Sequence, residues 1–272
     1  YVGAKLIESM TDDNQNDNEI LCAVRPTSNI EKVNKRGVKV IPSGNLEGIV
    51  GPIDVFVNLS CKYKNNIECS DGIIESNLCF PLRTLSKCAY IGVKKVVTIG
   101  TGLPDDFNEY AFMKKLFSDY GHWLSERNSN FSFYNIKLET YYGPDEPKGR
   151  FIPNVIDMLK KDEPVELTEG FQKRDLIHID DVVYNLKKII FDLDIKGYHD
   201  IPLGTGEAPT IREITGYLKK TCGSKSEMMY GAVPMRPGEP NSIANTEIMK
   251  RYGIEISVDW KNGLKSLCEV RR

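Results

Sequence analysis

The sequence contains no long apolar run, no closely spaced cysteine pair and no marked excess of charge. No apolar stretch approaches the roughly 18 to 20 residues that cross a bilayer, so we predict no membrane partner. The formal net charge of −2 gives no electrostatic reason to expect a nucleic-acid partner. The seven cysteines form no C-x-x-C motif, which favours free thiols in a reducing cytoplasm over a disulfide framework.

Histidine is scarce as well, with three residues in the chain. His178 is followed by Asp180 and Asp181, a grouping that could suggest a metal site. However, His178 falls on a predicted strand, and the two aspartates fall where a helix is expected to begin and acidic side chains stabilise the helix dipole. We therefore predict no metal.

The first half of the chain alternates short apolar runs with longer amphipathic segments. Near-continuous apolar strands separated by helices predict an α/β fold with a doubly wound parallel sheet of the Rossmann type. In such a sheet, ligands bind at the carboxyl ends of the strands. The predicted strands are 19–25, 38–42, 54–60, 95–100 and 131–138, and the clearest predicted helices are 73–90 and 108–128.

The second half is less regular and predicts a second, smaller domain. A turn-rich loop over 141–150 is followed by a predicted strand, 174–179, and a helix, 180–193. Another helix is expected from about Thr210, a typical N-cap residue. We predict that the dinucleotide-binding domain comprises 1–150 and 174–203, and that a smaller α/β substrate domain comprises 151–173 and 204–272.

The start of the sequence predicts a helix, YVGAKLIESM, without a strand before it. The first strand of a doubly wound sheet is central. Without it, its neighbours would keep unpaired backbone groups, which are costly to bury. We therefore expect that the first strand and its Gly-rich turn are missing from this sequence.

The motif Y-x-x-x-K occurs four times, so only its context can give it meaning. It begins at Tyr1, Tyr90, Tyr110 and Tyr184. Only Tyr110 comes shortly after a strand whose end carries a hydroxyl residue, Thr101, at the ligand-binding edge. The alternative is a strand followed by an ordinary surface helix.

The chemistry of these residue types points to an oxidoreductase. Lys114, four residues after Tyr110, shares its helix face, and its charge is expected to lower the phenol pKa from about 10. Tyr110 could then exchange a proton with a carbonyl or alcohol oxygen that Thr101 also hydrogen-bonds. A nicotinamide ring would exchange hydride with the carbon. We predict Thr101, Tyr110 and Lys114 as catalytic residues.

Several further stretches resemble an extended short-chain dehydrogenase/reductase of the NAD-dependent epimerase/dehydratase family, which acts on nucleotide sugars. These stretches are YVGAKLIESM, DVFVNLS, ESNLCFPLRTLSKCAYIGVKKVV, YYGPDEPKGRFIPNVI, QKRDLIHIDDVV and MRPGEP. Within the family, IKLETYYGP and the short spacing from Thr101 to Tyr110 most resemble synthases of the CDP-abequose type. Those are 4-ketoreductases that make deoxysugars for bacterial surface polysaccharide.

The resemblance implies a set of cofactor-binding residues. They are Gly3 as the last glycine of the dinucleotide loop, Asn45 and Leu46 near adenine, Leu59 and Ser60 on the nicotinamide side, Asn77 near the active site, and Tyr110 and Lys114. Arg25 ends the second strand of such a fold, where an acidic residue usually binds the ribose of NAD. A guanidinium group can instead pair with a 2′-phosphate, so NADP is favoured and NAD remains possible.

The resemblance also implies substrate-binding residues. Arg174 and Arg236 correspond to two diphosphate-binding arginines, a role that suits the planar, permanently charged guanidinium group. Phe151 is expected near the nucleotide base, with a role in the core as the alternative, and Thr140 is expected in the substrate loop. Many relatives have asparagine at the position of Thr140, arginine at that of Lys137 and often serine at that of Gly100, so this chain departs from the family pattern there.

These observations lead to one favoured function and two alternatives. We predict a cytoplasmic enzyme that reduces the 4-keto group of a nucleotide-diphosphate sugar with NADPH, and a homodimer paired through helices 73–90 and 108–128. The nearest alternative is a nucleotide-sugar epimerase or dehydratase with tightly bound NAD. An alternative of another class is a catalytically silent regulator that senses NAD(P).

Overall fold

The computed structural model describes residues 1–12, 18–35, 37–45, 49, 51–63 and 70–270. The strands are β1 Ile20–Val24, β2 Val38–Pro42, β3 Val55–Asn58, β4 Lys95–Ile99, β5 Ser132–Leu138, β6 Thr140–Tyr142, β7 Val165–Leu167, β8 Leu176–His178, β9 Gly197–Leu203 and β10 Met228–Tyr230. The helices are α1 Val2–Thr11, α2 Asp71–Ile74, α3 Phe80–Tyr90, α4 Glu109–Glu126, α5 Phe151–Lys160, α6 Ile179–Phe191, α7 Ile211–Cys222, α8 Thr246–Arg251 and α9 Trp260–Val270. None of the helices described combines the length and apolar character that a bilayer crossing requires.

The chain divides into two compact units. The first unit comprises Tyr1–Gly100, Asn108–Ile136 and Val183–Asp200, and the second comprises Thr101–Phe107, Lys137–Val182 and Ile201–Arg272. The chain therefore changes unit on either side of Thr101–Phe107 and inside β5, α6 and β9, rather than in the loops near residues 150 and 174 at which the sequence pattern loosens. The assignment of a cofactor domain and a substrate domain stays a prediction.

The first unit contains the parallel sheet that the sequence predicts. Strands β3, β4, β5 and β9 lie side by side in that order, and β1 pairs with β2 in a separate two-stranded sheet. The β3–β4 and β4–β5 pairs are parallel, and their register aligns Asn58, Thr98 and Asn135. The Asn58 amide donates a hydrogen bond to the Thr98 hydroxyl at 3.0 Å, so two members of this buried polar row are bonded across neighbouring strands. The missing first strand stays a prediction.

Helices α3 and α4 supply the apolar cover of this sheet. Buried side chains from α3, β4, α4 and β5 form one cluster: Leu85, Cys88, Val93, Val96, Phe117, Phe131 and Phe133. The helical region that the sequence places at 73–90 is interrupted by a π-helical turn, Glu75–Cys79, before α3. Pro81 has no N–H to donate to the carbonyl four residues earlier, which is a physical reason for the irregular turn.

The second unit is built around two parallel strand pairs, β6–β8 and β7–β10. Its core contains Tyr142, Ile156, Leu176, Leu218 and Leu264, together with neighbouring apolar side chains. Helix α7 begins at the predicted N-cap, Thr210, which forms a reciprocal capping box with Glu213. The predicted strand 174–179 and helix 180–193 correspond to β8 and α6.

Candidate active site

Tyr110 lies in the first turn of α4, in the first unit. The side chain of the N-cap residue Asn108 accepts a hydrogen bond from the Ala111 N–H at 2.9 Å, which fixes where the helix begins. The Tyr110 side chain is only 5% exposed, and its ring packs on the ring of Tyr63 with a centroid distance of 4.5 Å. The side chains of Tyr63 and Cys61 lie close enough to act on the pKa of its hydroxyl.

Lys114 lies one turn further along α4 and is 4% exposed. Its Nζ donates to the carbonyl oxygens of Ser60 at 2.8 Å and Ile99 at 2.9 Å. Ile99 is the last residue of β4, and Ser60 comes two residues after β3. The ammonium group is therefore held at the carboxyl ends of two adjacent parallel strands, the edge at which this class of sheet binds ligands.

The electrostatic setting of Tyr110 differs from the sequence-based expectation. Burial raises its pKa well above the usual range, and the neighbouring Tyr63 and Cys61 raise it further. Burial also lowers the pKa of Lys114. The Lys114 ammonium is 5.9 Å from the centroid of the Tyr110 ring and is bonded to two carbonyls. The expected net lowering of the Tyr110 pKa is therefore not seen, because burial of the phenol dominates its surroundings.

Thr101 belongs to the second unit and begins its short loop Thr101–Phe107. Its hydroxyl oxygen accepts a hydrogen bond from the Leu103 N–H at 3.2 Å. The next residue, Gly102, donates its N–H to the Leu138 carbonyl at 3.0 Å, which ties the loop to the end of β5. Because the Thr101 oxygen accepts locally, its own proton can be donated to another oxygen.

Three predicted cofactor residues lie at the same end of the sheet as Lys114. A Cβ placed on Gly3 would lie 3.3 Å from Leu59 Cδ1, so glycine allows α1 to pack closely against the residue after β3. The Ser60 hydroxyl donates to the Asn58 side chain at 2.6 Å. These contacts place Gly3, Leu59 and Ser60 at the carboxyl end of β3, in the first unit.

Asn77, another predicted cofactor residue, lies in the π-helical turn and is fully buried. Its amide donates to the carbonyl oxygens of Ile73 and Lys62, each at 2.9 Å, and its oxygen accepts from the Lys62 N–H at 3.3 Å. These bonds fix the backbone between Cys61 and Tyr63, the two residues that contact Tyr110. Asn77 therefore positions the surroundings of Tyr110, and direct contact with a cofactor stays a prediction.

The remaining predicted cofactor residues follow β1 and β2. Arg25 comes directly after β1, and Asn45 lies three residues beyond β2; both are exposed. Leu46 lies outside the described residues. The role of these three in adenosine binding stays a prediction.

The two predicted diphosphate arginines are close to each other in the second unit. The Arg174 guanidinium forms an ion pair with Glu239 and donates to the Pro240 carbonyl at 2.6 Å. Burial lowers its pKa, and the charge of Arg236 contributes in the same direction. Arg236 itself is exposed. Two arginines more than sixty positions apart in the sequence are thus close enough for their charges to interact, with Glu239 as an acidic neighbour that sequence reasoning missed.

Thr140 and Phe151 have different surroundings. The Thr140 N–H donates to the Asp175 carbonyl at 3.1 Å, which places Thr140 at the start of β6, next to the residue that follows Arg174. Phe151 begins α5 with an exposed ring, so the alternative core role considered for it does not apply. Contact of either residue with a substrate stays a prediction.

Tyr63, Cys61 and Glu139 are site residues that the sequence analysis did not select. Tyr63 and Cys61 follow β3 and gain importance only from packing on Tyr110. Glu139 had a local signal, because an acidic residue stands between the apolar runs of β5 and β6.

The parallel sheet and the groups at its carboxyl edge define a dinucleotide-dependent oxidoreductase of the short-chain dehydrogenase/reductase class. The sequence profile of the NAD dependent epimerase/dehydratase family matches residues 1–194. The chain belongs to that family.

Relatives and solved structures agree with this assignment. The chain is 30% identical to CDP-abequose synthase of Salmonella typhimurium over 225 residues, which cover 78% of this chain and 74% of the relative. It is 26% identical to that of Salmonella muenchen, over 100% of this chain and 94% of the relative. Two solved structures, MoeE5 with UDP-glucuronic acid and NAD, and a Thermotoga maritima UDP-glucose 4-epimerase with UDP-glucose, each superpose with a TM-score of 0.83 at 19% identity, covering 100% of this chain and 96% of theirs. At this identity the structures confirm the fold.

Proposed function

We propose that the protein reduces the 4-keto group of a nucleotide-diphosphate sugar with NADPH, as a step in the synthesis of a deoxysugar for surface polysaccharide. The observation that carries the proposal is the anchoring of Lys114 to the ends of β3 and β4, with Tyr110 one turn away on the same helix. The CDP-abequose synthases among the relatives support the reductase assignment over other reactions of the family.

The residues of the first unit fit a nicotinamide dinucleotide. The close packing of Gly3 on Leu59 is the helix–strand contact that the last glycine of a dinucleotide loop provides. Lys114 would bind the nicotinamide ribose, and the exposed Arg25 would pair with a 2′-phosphate, which favours NADP over NAD. When bound, the reduced cofactor supplies a hydride.

Tyr110 would donate the proton to the sugar oxygen. Its raised pKa keeps the phenol protonated near neutral pH, which is the form a reductase needs at the start of its reaction. The nearby Lys114 ammonium would stabilise the phenolate left behind. The Thr101 hydroxyl, whose oxygen already accepts a bond from Leu103, would donate its proton to orient the same sugar oxygen.

The second unit supplies the groups that suit the anionic part of the substrate. Arg174 and Arg236 are close enough for their charges to act on each other, and paired guanidinium groups are well suited to a diphosphate. Phe151 presents an exposed ring that could stack on a nucleotide base, and Thr140 would contact the sugar.

An epimerase with tightly bound NAD is the second candidate, because one of the two solved structures above is a UDP-glucose 4-epimerase. An epimerase begins by removing a proton from the substrate alcohol. A tyrosine of ordinary pKa is protonated near neutral pH too, so the preference for the reductase rests on the CDP-abequose synthases among the relatives.

We further propose that the protein is a homodimer and acts in the cytoplasm. The apolar outer face of α4 supports the first proposal and is taken up in the Discussion. The six cysteines among the described residues are free thiols, which suits a reducing compartment.

A direct assay separates the candidates. The protein is mixed with a panel of nucleotide 4-keto-sugars, including the CDP and UDP forms, with NADPH or NADH, and absorbance at the reduced nicotinamide band is followed. A reductase consumes one reduced cofactor for each keto-sugar and prefers NADPH. Interconversion of sugars without net cofactor consumption contradicts the reductase and supports the epimerase.

A further inference from the structure

The second unit contains a buried carboxyl group that the proposed reaction does not use. Glu139 lies between β5 and β6 and is 8% exposed. Its backbone N–H donates to the Leu203 carbonyl at 2.9 Å, so the residue is fixed in the sheet. A carboxyl group is rarely buried unless its surroundings give it partners or keep it protonated.

Three separate segments enclose the Glu139 side chain. A Cβ on Gly102 would overlap the carboxyl group, and a Cβ on Gly204 would come within 2.7 Å of Glu139 Cγ. From the third segment, the Ser242 hydroxyl donates a hydrogen bond to Oε2. The carboxyl group therefore occupies a space that two glycines leave open and that one hydroxyl faces.

The charged groups that face Glu139 are Asp175 and Arg174. The Asp175 carboxylate accepts four hydrogen bonds: from the Thr205 N–H and hydroxyl at 2.7 Å, the Gly206 N–H at 2.8 Å and the Ala244 N–H at 3.1 Å. Two further charged residues lie near Arg174. Arg236 carries the same positive charge, and Glu239 is ion-paired with Arg174.

These charges and the burial set the protonation of Glu139. Burial raises its pKa to about 7, and Asp175 adds to the rise, whereas the Ser242 hydrogen bond and Arg174 lower it. Near neutral pH the group therefore exists in both forms, and a change in the charge near Arg174 shifts the balance between them.

The segments that meet at Glu139 are those that carry the substrate-directed groups. Gly102 follows Thr101, Asp175 follows Arg174, and Ser242 lies shortly after the segment that contains Arg236 and Glu239. Glu139 thus touches the loop of Thr101 at Gly102 and the segment after Glu239 at Ser242, and its charge acts on Arg174.

We propose that Glu139 is a positioning residue that couples binding of the substrate diphosphate at Arg174 to the uptake of a proton by its own carboxylate. The inference rests on the proposed nucleotide-sugar substrate. A bound diphosphate adds negative charge beside Arg174, which disfavours ionised Glu139. By thermodynamic reciprocity, a proton on Glu139 strengthens binding of the anion. Substrate affinity therefore falls as pH rises through about 7.

The test is calorimetric binding of CDP-glucose and UDP-glucose, whose diphosphate groups do not titrate in the range used, from about pH 6 to 8.5. Titrations in MOPS and in Tris, which have different heats of ionisation, count the protons taken up with each ligand. The variants are Glu139→Gln, which keeps the size of the side chain, and the control Glu166→Gln, which changes an exposed carboxylate in the middle of β7.

Wild type and Glu166→Gln should take up a fraction of a proton near pH 7 and lose affinity by about fivefold or more across the range. Glu139→Gln should show neither effect. Ser242→Ala removes the bond that favours the ionised carboxylate, so it should move the midpoint of the pH dependence upward; a purely structural role for Glu139 does not predict that movement.

Binding by the wild type without proton uptake, or an unchanged pH dependence in Glu139→Gln, overturns the inference. The wild-type proton count decides the matter even if a variant fails to fold. Absence of binding by either probe at every pH is a different result, because it contradicts the proposed function and the coupling together.

Discussion

Tyr110 shows how a side chain can be in place for catalysis although its environment differs from the simplest expectation. The phenol is buried, contacts Tyr63 and Cys61, and has a raised pKa. The Lys114 ammonium group is anchored to carbonyl oxygens at the ends of β3 and β4. A protonated phenol beside an anchored ammonium group suits donation of a proton followed by stabilisation of the anion.

We expect Tyr110→Phe to lower kcat for keto-sugar reduction by about 10²- to 10⁴-fold, the range for loss of a general acid. Binding of NADPH, measured by fluorescence titration, should change little, because the ring and its packing remain. The matched control is Tyr90→Phe, which alters another Y-x-x-x-K tyrosine that is 86% exposed. Unchanged turnover of a competent substrate in Tyr110→Phe removes the phenol from the mechanism and reopens the silent-regulator alternative.

At the scale of elements, α4 serves two functions with two of its faces. One face carries Tyr110 and Lys114 to the sheet edge, and the same helix packs on β5 through Gly121 and Phe133. A Cβ on Gly121 would overlap the ring of Phe133, so the absent side chain sets how closely the helix approaches the sheet. The position of the catalytic face depends on that approach.

Gly121→Ala should therefore lower the free energy of unfolding by about 1–3 kcal/mol, the usual cost of overpacking a core. The control, Gly216→Ala in α7, has no atom within 4 Å of the new methyl group. It should be neutral or stabilising by about 0.5–1 kcal/mol, because alanine favours a helix over glycine. Urea denaturation compares the two, and equal midpoints for both variants contradict the packing account.

At the scale of the whole molecule, the outer face of α4 supports the proposed homodimer. Phe112, Leu116, Tyr120 and Trp123 recur at spacings of three and four residues, which places them on one side of the helix. Three of the four are exposed, and the rings of Tyr120 and Trp123 stack at 5.7 Å. An aromatic stripe on a helix surface is a common feature of protein interfaces.

Light scattering coupled to size exclusion, over a range of concentrations, tests the dimer. The wild type should have twice the mass of the chain, and Tyr120→Glu should shift it toward a monomer, because a carboxylate in an apolar interface must lose its hydration. The control, Phe191→Glu, places the same charge on the exposed end of α6 and should leave the mass unchanged. A monomeric wild type contradicts the proposal.

Much of the fold follows from local sequence patterns. The apolar runs predicted β1 to β5, the helical spacing predicted α4 and α6 within one or two residues at each end, and Thr210 predicted the start of α7. The hydrophobic periodicity and the capping residues determine such elements, because the elements depend on residues that are neighbours in the chain. The family motifs likewise led to Tyr110, Lys114 and the two arginines.

The tertiary structure alone decided what surrounds those residues. The raised pKa of Tyr110, the carbonyl partners of Lys114 and the enclosure of Glu139 all arise from contacts between distant segments. The passage of the chain from one unit to the other inside β5, α6 and β9 also arises from contacts between distant segments. Local sequence selects residue types and periodicity, but burial and charge–charge distances exist only after the chain has folded, and these set the protonation states on which the chemistry depends.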